Sequence, residues 1–525
     1  MKKLKVGVID FLTNSPRDNW FQNHLIHPNF SSIMPQAIAV WLEELGCEVY
    51  YDTYVAQDLF GAMPKDLDVV FLACFTRASF LAYGVSQEFR RRGVITVLGG
   101  PHARSFTEHS RDYFDYVCLL TDKNLIASLM AGIARQPRAI VLAAEQQPQS
   151  LPGAEQRQHF IDINIKKSTR FLYSIPMLGS FGCPYTCGFC IDASIPYQPL
   201  SYDGLIEDLK FSERRWGKDI FVIWHDPNFG VRFKDYMQVV EESRTSIRHI
   251  AESSLSLLHE DNLKVLKKNN FVVTLPGIES WFEFSAKSGQ KRASGEMKMK
   301  GVAAHVNQIQ SYIPYMQTNF VFGLDCDEGP DPWNLTKQFI DLAPGVLPTF
   351  NLFTNFQNAP LSKTLDQEGR TTFVPYPLLD GRSAFNVKLK NYDPIEFYDR
   401  LIDLMEHTWS LKAFARRFQA NSHWTAKAIN LGRGYVEGRE RLKYYRQVRQ
   451  RLDTDRDFLA FSRGEREEPP MYFFDIVRYR TGRYADLIPK ELTTPRGFVE
   501  SVKRTTHDAP ATGSRALLPL ARRRP

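Results

Sequence analysis

Short apolar runs alternate with amphipathic segments along the first 145 residues. Strands that alternate with helices predict βαβ units and a parallel sheet, and fully apolar strands fit a sheet that is covered on both faces. We therefore predict a parallel α/β domain over residues 1–145. The strand-like runs cover residues 4–9, 47–51, 68–74, 94–98 and 113–120, and the helical patterns cover residues 35–45 and 81–92.

Gly99 and Gly100 directly follow one of these apolar strands. Ligands of parallel sheets bind at the carboxyl ends of the strands, and glycine lets a ligand approach the backbone closely. The pair is therefore a candidate ligand-binding turn, although a tight turn without a ligand would have the same residues.

The middle third repeats a strand and a helix six times. This pattern predicts a partial (β/α)6 barrel over residues 165–375, with its chemistry at the carboxyl ends of the strands. Strands are predicted over residues 171–178, 219–224, 246–252, 271–278, 317–324 and 347–354.

The remainder of the chain has helical periodicity over residues 380–500. A basic helix over residues 439–451 is most simply a solvated charged face. The last 25 residues carry six basic residues against one acidic residue and are rich in Pro, Ala and Arg, so we predict a disordered basic tail over residues 501–525.

Composition excludes several classes of protein. Of the 525 residues, 43% are hydrophobic and 24% are charged, which is a globular mix. No apolar run approaches the roughly 20 residues that span a bilayer. The basic N-terminus meets Asp10 too early to be a signal peptide, so we expect a cytoplasmic protein. Because the net charge of +7 resides mostly in the tail, nucleic acid is an unlikely partner.

Three of the seven cysteines lie within eight consecutive residues, at Cys183, Cys187 and Cys190. An odd number of cysteines without an export signal argues against disulfides. Structural zinc sites and four-cysteine iron–sulfur sites use four ligands, whereas three thiolates leave one iron of a four-iron cluster open. A zinc site completed by a remote ligand such as His225, or three ordinary loop cysteines, are the alternatives.

The segment Cys183-x3-Cys187-x2-Cys190, with Phe189 before the last cysteine, resembles the radical S-adenosylmethionine (SAM) superfamily. The resemblance implies that these cysteines hold a [4Fe-4S] cluster whose open iron binds SAM. Reductive cleavage of SAM then yields methionine and a 5′-deoxyadenosyl radical, which abstracts hydrogen from an unreactive carbon. The cofactors carry this chemistry, and the protein positions and shields it.

Further segments at predicted strand ends resemble those of the same superfamily. Residues 224–229 include Asp226, residues 277–280 include Glu279, and residues 319–325 include Gly323. The resemblance implies that Asp226, Glu279 and Gly323, together with Phe189, lie against SAM.

Gly99-Gly100-Pro101-His102 ahead of such a barrel resembles the cobalamin-dependent subfamily of radical SAM enzymes. The resemblance covers residues 4–375 and implies a Rossmann-like cobalamin-binding domain, in which Gly99, Gly100 and His102 approach the cobalamin. The segment that starts at Asp10 lacks the histidine that ligates cobalt in some relatives, so that motif cannot supply the lower axial ligand here.

The leading hypothesis is a cobalamin-dependent radical SAM methyltransferase that methylates an unactivated carbon of a small-molecule substrate. An electron donor such as flavodoxin or ferredoxin is the expected protein partner. One alternative keeps the radical chemistry but performs a rearrangement, ring contraction or oxidative cyclisation without methyl transfer. Another is a non-catalytic protein that binds cobalamin or a metal.

Overall fold

The computed structural model describes residues 3–13, 22–55, 58–169, 172–282 and 294–507. Two parallel sheets with flanking helices are followed by a region of helices. This arrangement confirms the predicted fold class. Three of the sequence-based predictions involve residues outside the described ranges. They are residue 171 at the start of a predicted strand, residues 508–525 of the predicted tail, and the residues that follow Thr13 in the segment that starts at Asp10.

The first sheet has six parallel strands in the order β2-β1-β3-β4-β5-β6. Its central strands are apolar on both faces, as in β3, where five of six residues are buried. The sequence did not predict β6. The strands are β1 (Lys5–Phe11), β2 (Glu48–Tyr54), β3 (Val69–Cys74), β4 (Ile95–Gly99), β5 (Tyr116–Cys118) and β6 (Ile140–Leu142), and the helices are α1 (Ile33–Glu44), α2 (Ser79–Arg91), α3 (Pro101–Ser105), α4 (Thr107–Ser110) and α5 (Lys123–Ala131).

Helix α6 (Gln158–Lys167) leads into the second sheet, which forms the partial barrel. Its parallel path is β7-β10-β11-β12-β14-β15, and β13 also pairs with β14. The strands are β7 (Ser174–Met177), β8 (Ser180–Phe181), β9 (Gln198–Pro199), β10 (Phe221–Trp224), β11 (Arg248–Ala251), β12 (Phe271–Thr274), β13 (Gly277–Glu279), β14 (Tyr315–Phe322) and β15 (Leu347–Leu352), and the helices are α7 (Tyr202–Trp216), α8 (Phe233–Ser243), α9 (Glu260–Lys268), α10 (Gly295–Gln310), α11 (Asp331–Leu342) and α12 (Ser362–Gln367).

Alternation along β14 separates the barrel wall from its interior. The rings of Phe320 and Phe322 pack outward on Phe339 and Trp333 of α11, with ring centroids 5.6 and 4.4 Å apart. Successive side chains of a strand point to opposite faces. Tyr315, with Gln317 and Asn319 after it, therefore belongs to the inward face.

The C-terminal helices pack against both sheets. The end of the chain returns to the first domain, where the Ser501 hydroxyl lies 3.1 Å from Nε2 of His109 and Arg504 pairs with Asp112 at 2.9 Å. The predicted start of a disordered tail at residue 501 is wrong, because residues 501–507 continue a helix whose apolar face is buried. The helices are α13 (Pro394–Thr408), α14 (Leu411–Ala420), α15 (Trp424–Leu431), α16 (Gly438–Thr454), α17 (Arg456–Ser462), α18 (Met471–Thr481) and α19 (Pro495–His507).

Candidate active site

The three clustered cysteines lie in a loop that is closed at its base. β7 leads through Gly179 into β8, and β8 pairs antiparallel with β9 on the far side of the loop. Cys183 and Cys187 are 7% and 6% exposed, whereas Cys190 is more accessible. The hairpin therefore places three thiols on one short, partly buried segment at the carboxyl end of the first barrel strand.

Gly182 is required by this closure. Its φ is +63°, and a Cβ atom at this position would lie 2.3 Å from the carbonyl oxygen of Ile195 and 2.5 Å from that of Pro196. Both the left-handed backbone and the close approach favour glycine. The residue before Cys183 is thus fixed by packing within the loop.

The three cysteines of the loop are candidate ligands of a cluster. Among the described residues, no group of three or more His, Cys, Asp or Glu side chains converges as the ligands of one ion would. Thiolates of an iron–sulfur cluster ligate different irons, so their sulfurs need not meet at one point. Cys183, Cys187 and Cys190 therefore stay the predicted cluster ligands, with a zinc site completed by His225 as the alternative.

Phe189 anchors the loop to the opposite side of the barrel. Its ring packs in an apolar cluster with Val321 and Phe353, which belong to or follow β14 and β15. The neighbouring Gly188 accepts a backbone hydrogen bond of 2.8 Å from Leu361. Phe189 therefore lies where the barrel strands end, as a residue against a bound cofactor should.

Asp226 is a buried carboxylate that is held by hydrogen bonds within the protein. It is 1% exposed, and its carboxylate accepts hydrogen bonds from Gly179 N at 3.0 Å, Ser180 Oγ at 2.7 Å and Tyr236 Oη at 2.8 Å. Burial raises the pKa of Asp226, and these hydrogen bonds oppose the rise. The carboxylate thus turns into the core and supports the segment that enters the cysteine loop, and its contact with SAM stays a prediction.

Glu279 ends β13 in a left-handed conformation, with a φ of +64°. A non-glycine residue there stores backbone strain, and such residues concentrate at functional sites. A Cβ atom on Gly277 would lie 2.1 Å from Glu279 Oε1, so the carboxylate sits directly over that glycine. Glu279 is half-buried at the carboxyl end of the barrel and keeps its place as a candidate SAM contact.

Gly323 directly follows β14 and has a φ of +92°. A Cβ atom would meet Leu389 at 3.0 Å and Phe397 at 3.5 Å. The glycine is thus needed for its backbone conformation and for close packing with Leu389 and Phe397.

Gly99 and Gly100 occupy the carboxyl edge of the first sheet, as predicted. Gly100 has a φ of +92°, and a Cβ atom there would lie 3.0 Å from the backbone N and O of Cys74. Nothing lies within 4 Å of a Cβ atom on Gly99. This open space is consistent with a ligand against Gly99.

His102 is a core residue in this structure, and its approach to cobalamin stays a prediction. It is 0% exposed, its Nε2 lies 2.7 Å from Tyr83 Oη, and its Nδ1 lies 3.4 Å from Thr76 Oγ1. Burial lowers the pKa of the imidazole, so the ring is neutral. The chain turns into α3 after Gly100, and this turn directs the His102 side chain inward.

Helix α3 joins the first domain to the cysteine loop. Arg104 lies 3.6 Å from Asp192, and Ser105 Oγ donates to Asn358 Oδ1 at 2.9 Å. Burial lowers the pKa of Arg104, and the charges of Asp192 and Cys190 oppose that shift. The guanidinium therefore lies near the third cysteine. Sequence reasoning missed Arg104, although its position just after Gly99-Gly100-Pro101 was a usable signal.

A buried polar group next to Glu279 was also missed. Ser280 Oγ donates to Asp327 Oδ1 at 2.6 Å, Cys326 Sγ lies 3.7 Å from Ser280 Oγ, and the Lys298 ammonium donates to the Ser280 carbonyl. Burial raises the pKa of Asp327 to about 7 and that of Cys326 to about 11. These side chains support the strained end of β13.

Comparisons with known proteins show which proteins this chain is similar to. No family model matches the chain. Bacteriochlorophyllide d C-12(1)-methyltransferase of Chlorobaculum tepidum is 23% identical over 322 residues, which are 59% of this chain and 69% of the relative. Bacteriochlorophyllide d C-8(2)-methyltransferase of the same organism is 22% identical over 392 residues, which are 70% of this chain and 82% of the relative.

Among solved structures, the radical SAM methyltransferase TsrM of Kitasatospora setae matches with a TM-score of 0.56 and 12% identity, over 86% of this chain and 99% of TsrM. The cobalamin-dependent SAM radical enzyme OxsB matches with a TM-score of 0.55 and 12% identity, over 97% of this chain and 84% of OxsB. The chain therefore shares the fold of these two enzymes. This agrees with the fold that the sequence resemblance implies.

The comparisons also bear on the open alternatives. Both curated relatives are methyltransferases, which favours an enzyme over a non-catalytic binding protein. One TsrM structure contains cobalamin and a [4Fe-4S] cluster, and another contains a SAM analogue. In the part of this chain that the structure describes, no helix has the length and apolar character needed to cross a membrane.

Proposed function

We propose that this protein is a cobalamin-dependent radical SAM enzyme that methylates an unactivated carbon of a small molecule. The observation that carries the proposal is the contact between helix α3 of the first domain and the cysteine loop of the barrel. Arg104, in the helix after Gly99 and Gly100, reaches Asp192 and Cys190 in the loop of the three cysteines. The ligand edge of the first sheet and the cysteine loop therefore face one site.

The chain's own residues have distinct tasks in this site. Cys183, Cys187 and Cys190 would hold the [4Fe-4S] cluster, and Phe189 packs the loop against the barrel and excludes water from it. Glu279 offers a carboxylate to the SAM amino group. When bound, the cluster and SAM supply radical chemistry and cobalamin supplies a methyl carrier.

The proposal is tested anaerobically with protein reconstituted with iron, sulfide and cobalamin. SAM with a deuterated methyl group, a reductant and bacteriochlorophyllide d, the acceptor named for the curated relatives, are added, and products are quantified by mass spectrometry. Cobalamin-dependent S-adenosylhomocysteine together with 5′-deoxyadenosine supports methyl transfer. Formation of 5′-deoxyadenosine alone would favour rearrangement or cyclisation over methyl transfer. The absence of both products would refute the proposed chemistry.

A cysteine outside the loop provides the matched control. Cys187→Ala should abolish the iron–sulfur absorption and both products. Cys47→Ala, at a buried position in the first domain, should retain both because it lies outside the cysteine loop. A full cluster spectrum in Cys187→Ala would contradict the ligand assignment.

A further inference from the structure

Helix α14 carries its large apolar side chains on a face that lies at the protein surface. Leu411, Phe414 and Phe418 are spaced by three and four residues, so they share one face of the helix. Leu411 is 67% exposed, and both phenylalanines are half-buried. The residues that α14 buries are instead Ala413 and Arg417. The apolar stripe of this helix is therefore not its packing face.

Helix α15 repeats this arrangement beside α14. Trp424, Ala428 and Leu431 are spaced by four and three residues and are all exposed, Trp424 to 73%. The residues that α15 buries are Ala426 and Asn430. Two neighbouring helices thus each present an apolar stripe to the outside.

Ring contacts join the two stripes into one surface. The ring centroids of Phe418 and Trp424 are 6.2 Å apart. Those of Phe414 and Tyr435 are 6.4 Å apart, and Tyr435 lies in the π-helical turn that follows α15. The aromatic surface, as we name it, consists of Leu411, Phe414, Phe418, Trp424, Leu431 and Tyr435. A contiguous exposed apolar surface marks a contact with a protein or a membrane.

Positive charge accompanies the aromatic surface. Lys427 Nζ lies 4.6 Å from the ring centroid of Phe418, and the Arg439 guanidinium lies 3.9 Å from that of Tyr435. Residues 407–436 contain no Asp or Glu, but they contain five Lys or Arg residues, which are Lys412, Arg416, Arg417, Lys427 and Arg433.

Part of this charge is paired with acids of other segments. The pairs are Arg416–Asp341 at 2.9 Å and Arg433–Glu437 at 3.4 Å. Lys412 and Arg439 are exposed and Lys427 is half-buried, while the exposed Glu440 follows Arg439 in α16. Lys412, Lys427 and Arg439 give the aromatic surface a positive border, which an anionic partner complements.

The aromatic surface and the cysteine loop lie at opposite ends of the barrel. Ala426 of α15 packs with Tyr315 and Leu347, which begin β14 and β15. Phe189 of the cysteine loop packs with Val321, near the other end of β14. At about 3.3 Å per residue, these two positions along β14 are roughly 20 Å apart. An electron donor that docked on the aromatic surface would therefore be remote from the predicted cluster ligands.

We propose that the aromatic surface is a peripheral contact with an anionic lipid membrane. Helices with Trp, Phe and Leu on one face and with basic residues beside them lie in the interface of a membrane. There the rings sit at the level of the headgroups, and Lys and Arg side chains reach the lipid phosphates. A second copy of the chain is a poorer occupant, because a symmetric interface would bring the like charges of both copies together. The inference goes beyond the proposed function and does not depend on the reaction.

The test measures binding of the holoenzyme to lipid vesicles by flotation. Vesicles of phosphatidylcholine alone are compared with vesicles that also contain the anionic lipid phosphatidylglycerol. We expect the protein to bind the mixed vesicles, to bind them less as salt is added, and to bind the neutral vesicles much more weakly.

Variants identify the surface that binds. Each Lys or Arg near an anionic membrane contributes about fivefold to the affinity, so the double variant Lys427→Gln/Arg439→Gln should bind about 25-fold more weakly. Trp424→Ala should weaken binding at least about tenfold, because a large apolar side chain no longer enters the interface. Melting temperatures of these variants should match that of the wild type, which shows that the losses do not reflect misfolding.

Two further variants are the matched controls. Met297→Ala removes an apolar side chain of α10 that is 72% exposed, about as much as Trp424. Lys264→Gln removes a cation of α9 whose side chain is 57% exposed and pairs with Glu260. Both variants should bind the mixed vesicles as the wild type does.

Several results would overturn the proposal. They are no binding of the wild type to the mixed vesicles, equal binding to both kinds of vesicle, and equal binding of the wild type and Trp424→Ala. A wild-type dimer that Trp424→Ala dissociates would assign the surface to a second copy. Slower reduction of Lys427→Gln/Arg439→Gln by flavodoxin, with unchanged reduction by dithionite, would assign it to an electron donor. Failure of the proposed function would leave vesicle binding unchanged, because flotation measures no reaction product.

Discussion

Replacement of Asp226 by asparagine tests whether this residue positions the cysteine loop. The amide oxygen of Asp226→Asn can still accept from Ser180 Oγ and Tyr236 Oη, which both bind Oδ1. The amide NH2 takes the place of Oδ2 and cannot accept from Gly179 N. One buried backbone N–H therefore loses its partner, directly before β8 and the cysteines.

The expected cost follows from that lost hydrogen bond. A buried donor without a partner costs about 1–3 kcal/mol. Removal of a buried carboxylate whose pKa is raised by burial offsets part of this cost. We expect a net destabilisation of about 1–2 kcal/mol, which lowers the melting temperature of a domain of this size by roughly 2–8 °C. Asp226→Ala should cost more, because all three donors lose their acceptor.

The assay measures the melting temperature, the iron content per chain and the 5′-deoxyadenosine formed per cluster. Asp226→Asn should melt earlier and hold less iron, while activity per remaining cluster and the affinity for SAM stay close to the wild type. Asp235→Asn is the control, because the Asp235 side chain is 34% exposed, pairs with Arg232 at the surface and accepts only a long hydrogen bond of 3.4 Å from Tyr202 Oη. A wild-type melting temperature with full iron would refute the reasoning, and weakened SAM affinity at full iron would show direct contact instead.

Three further changes probe other features. Gly182→Ala should lower cluster content severalfold in iron assays, because its Cβ would collide with two carbonyls; normal content would show that the loop is free to shift. His102→Phe should destabilise the first domain by about 1–3 kcal/mol in thermal melts, because Tyr83 loses a hydrogen-bond partner. Wild-type melting together with weakened cobalamin binding would instead support the predicted contact of His102 with cobalamin. Asp327 has a pKa of about 7 when folded, against 3.8 in the unfolded chain. Its carboxyl therefore favours folding when protonated, and stability should fall by up to about 4 kcal/mol as the pH rises from 4 to 8. Asp327→Asn should flatten that part of the pH profile of unfolding, and an unchanged profile would contradict the raised pKa.

Sequence patterns were sufficient for the two sheets. Apolar runs such as Val69–Cys74 are buried on both faces, and their alternation with helices left few other arrangements. β6, at Ile140–Leu142, was not predicted, although it lies within an apolar run over residues 139–144. The predicted strand over residues 271–278 forms two strands, β12 and β13, which are separated by Leu275 and Pro276. Each of them pairs with β14 in its own register.

The site was less predictable because the direction of a side chain is a tertiary property. Asp226 and Glu279 both follow or end barrel strands, yet the first turns into the core and the second takes a left-handed backbone. The sequence likewise did not indicate that the His102 side chain turns into the core.

The contact between His109 and Ser501 joins positions 392 residues apart. During synthesis, the first domain leaves the ribosome long before its partner helix α19 exists. At about 5–20 residues per second, that interval is roughly 20–80 seconds. Throughout it, the aromatic core around Tyr83 and His109 lacks the ring of Phe498 that later closes it. The packing of the first domain is therefore completed last, although this domain is synthesised first.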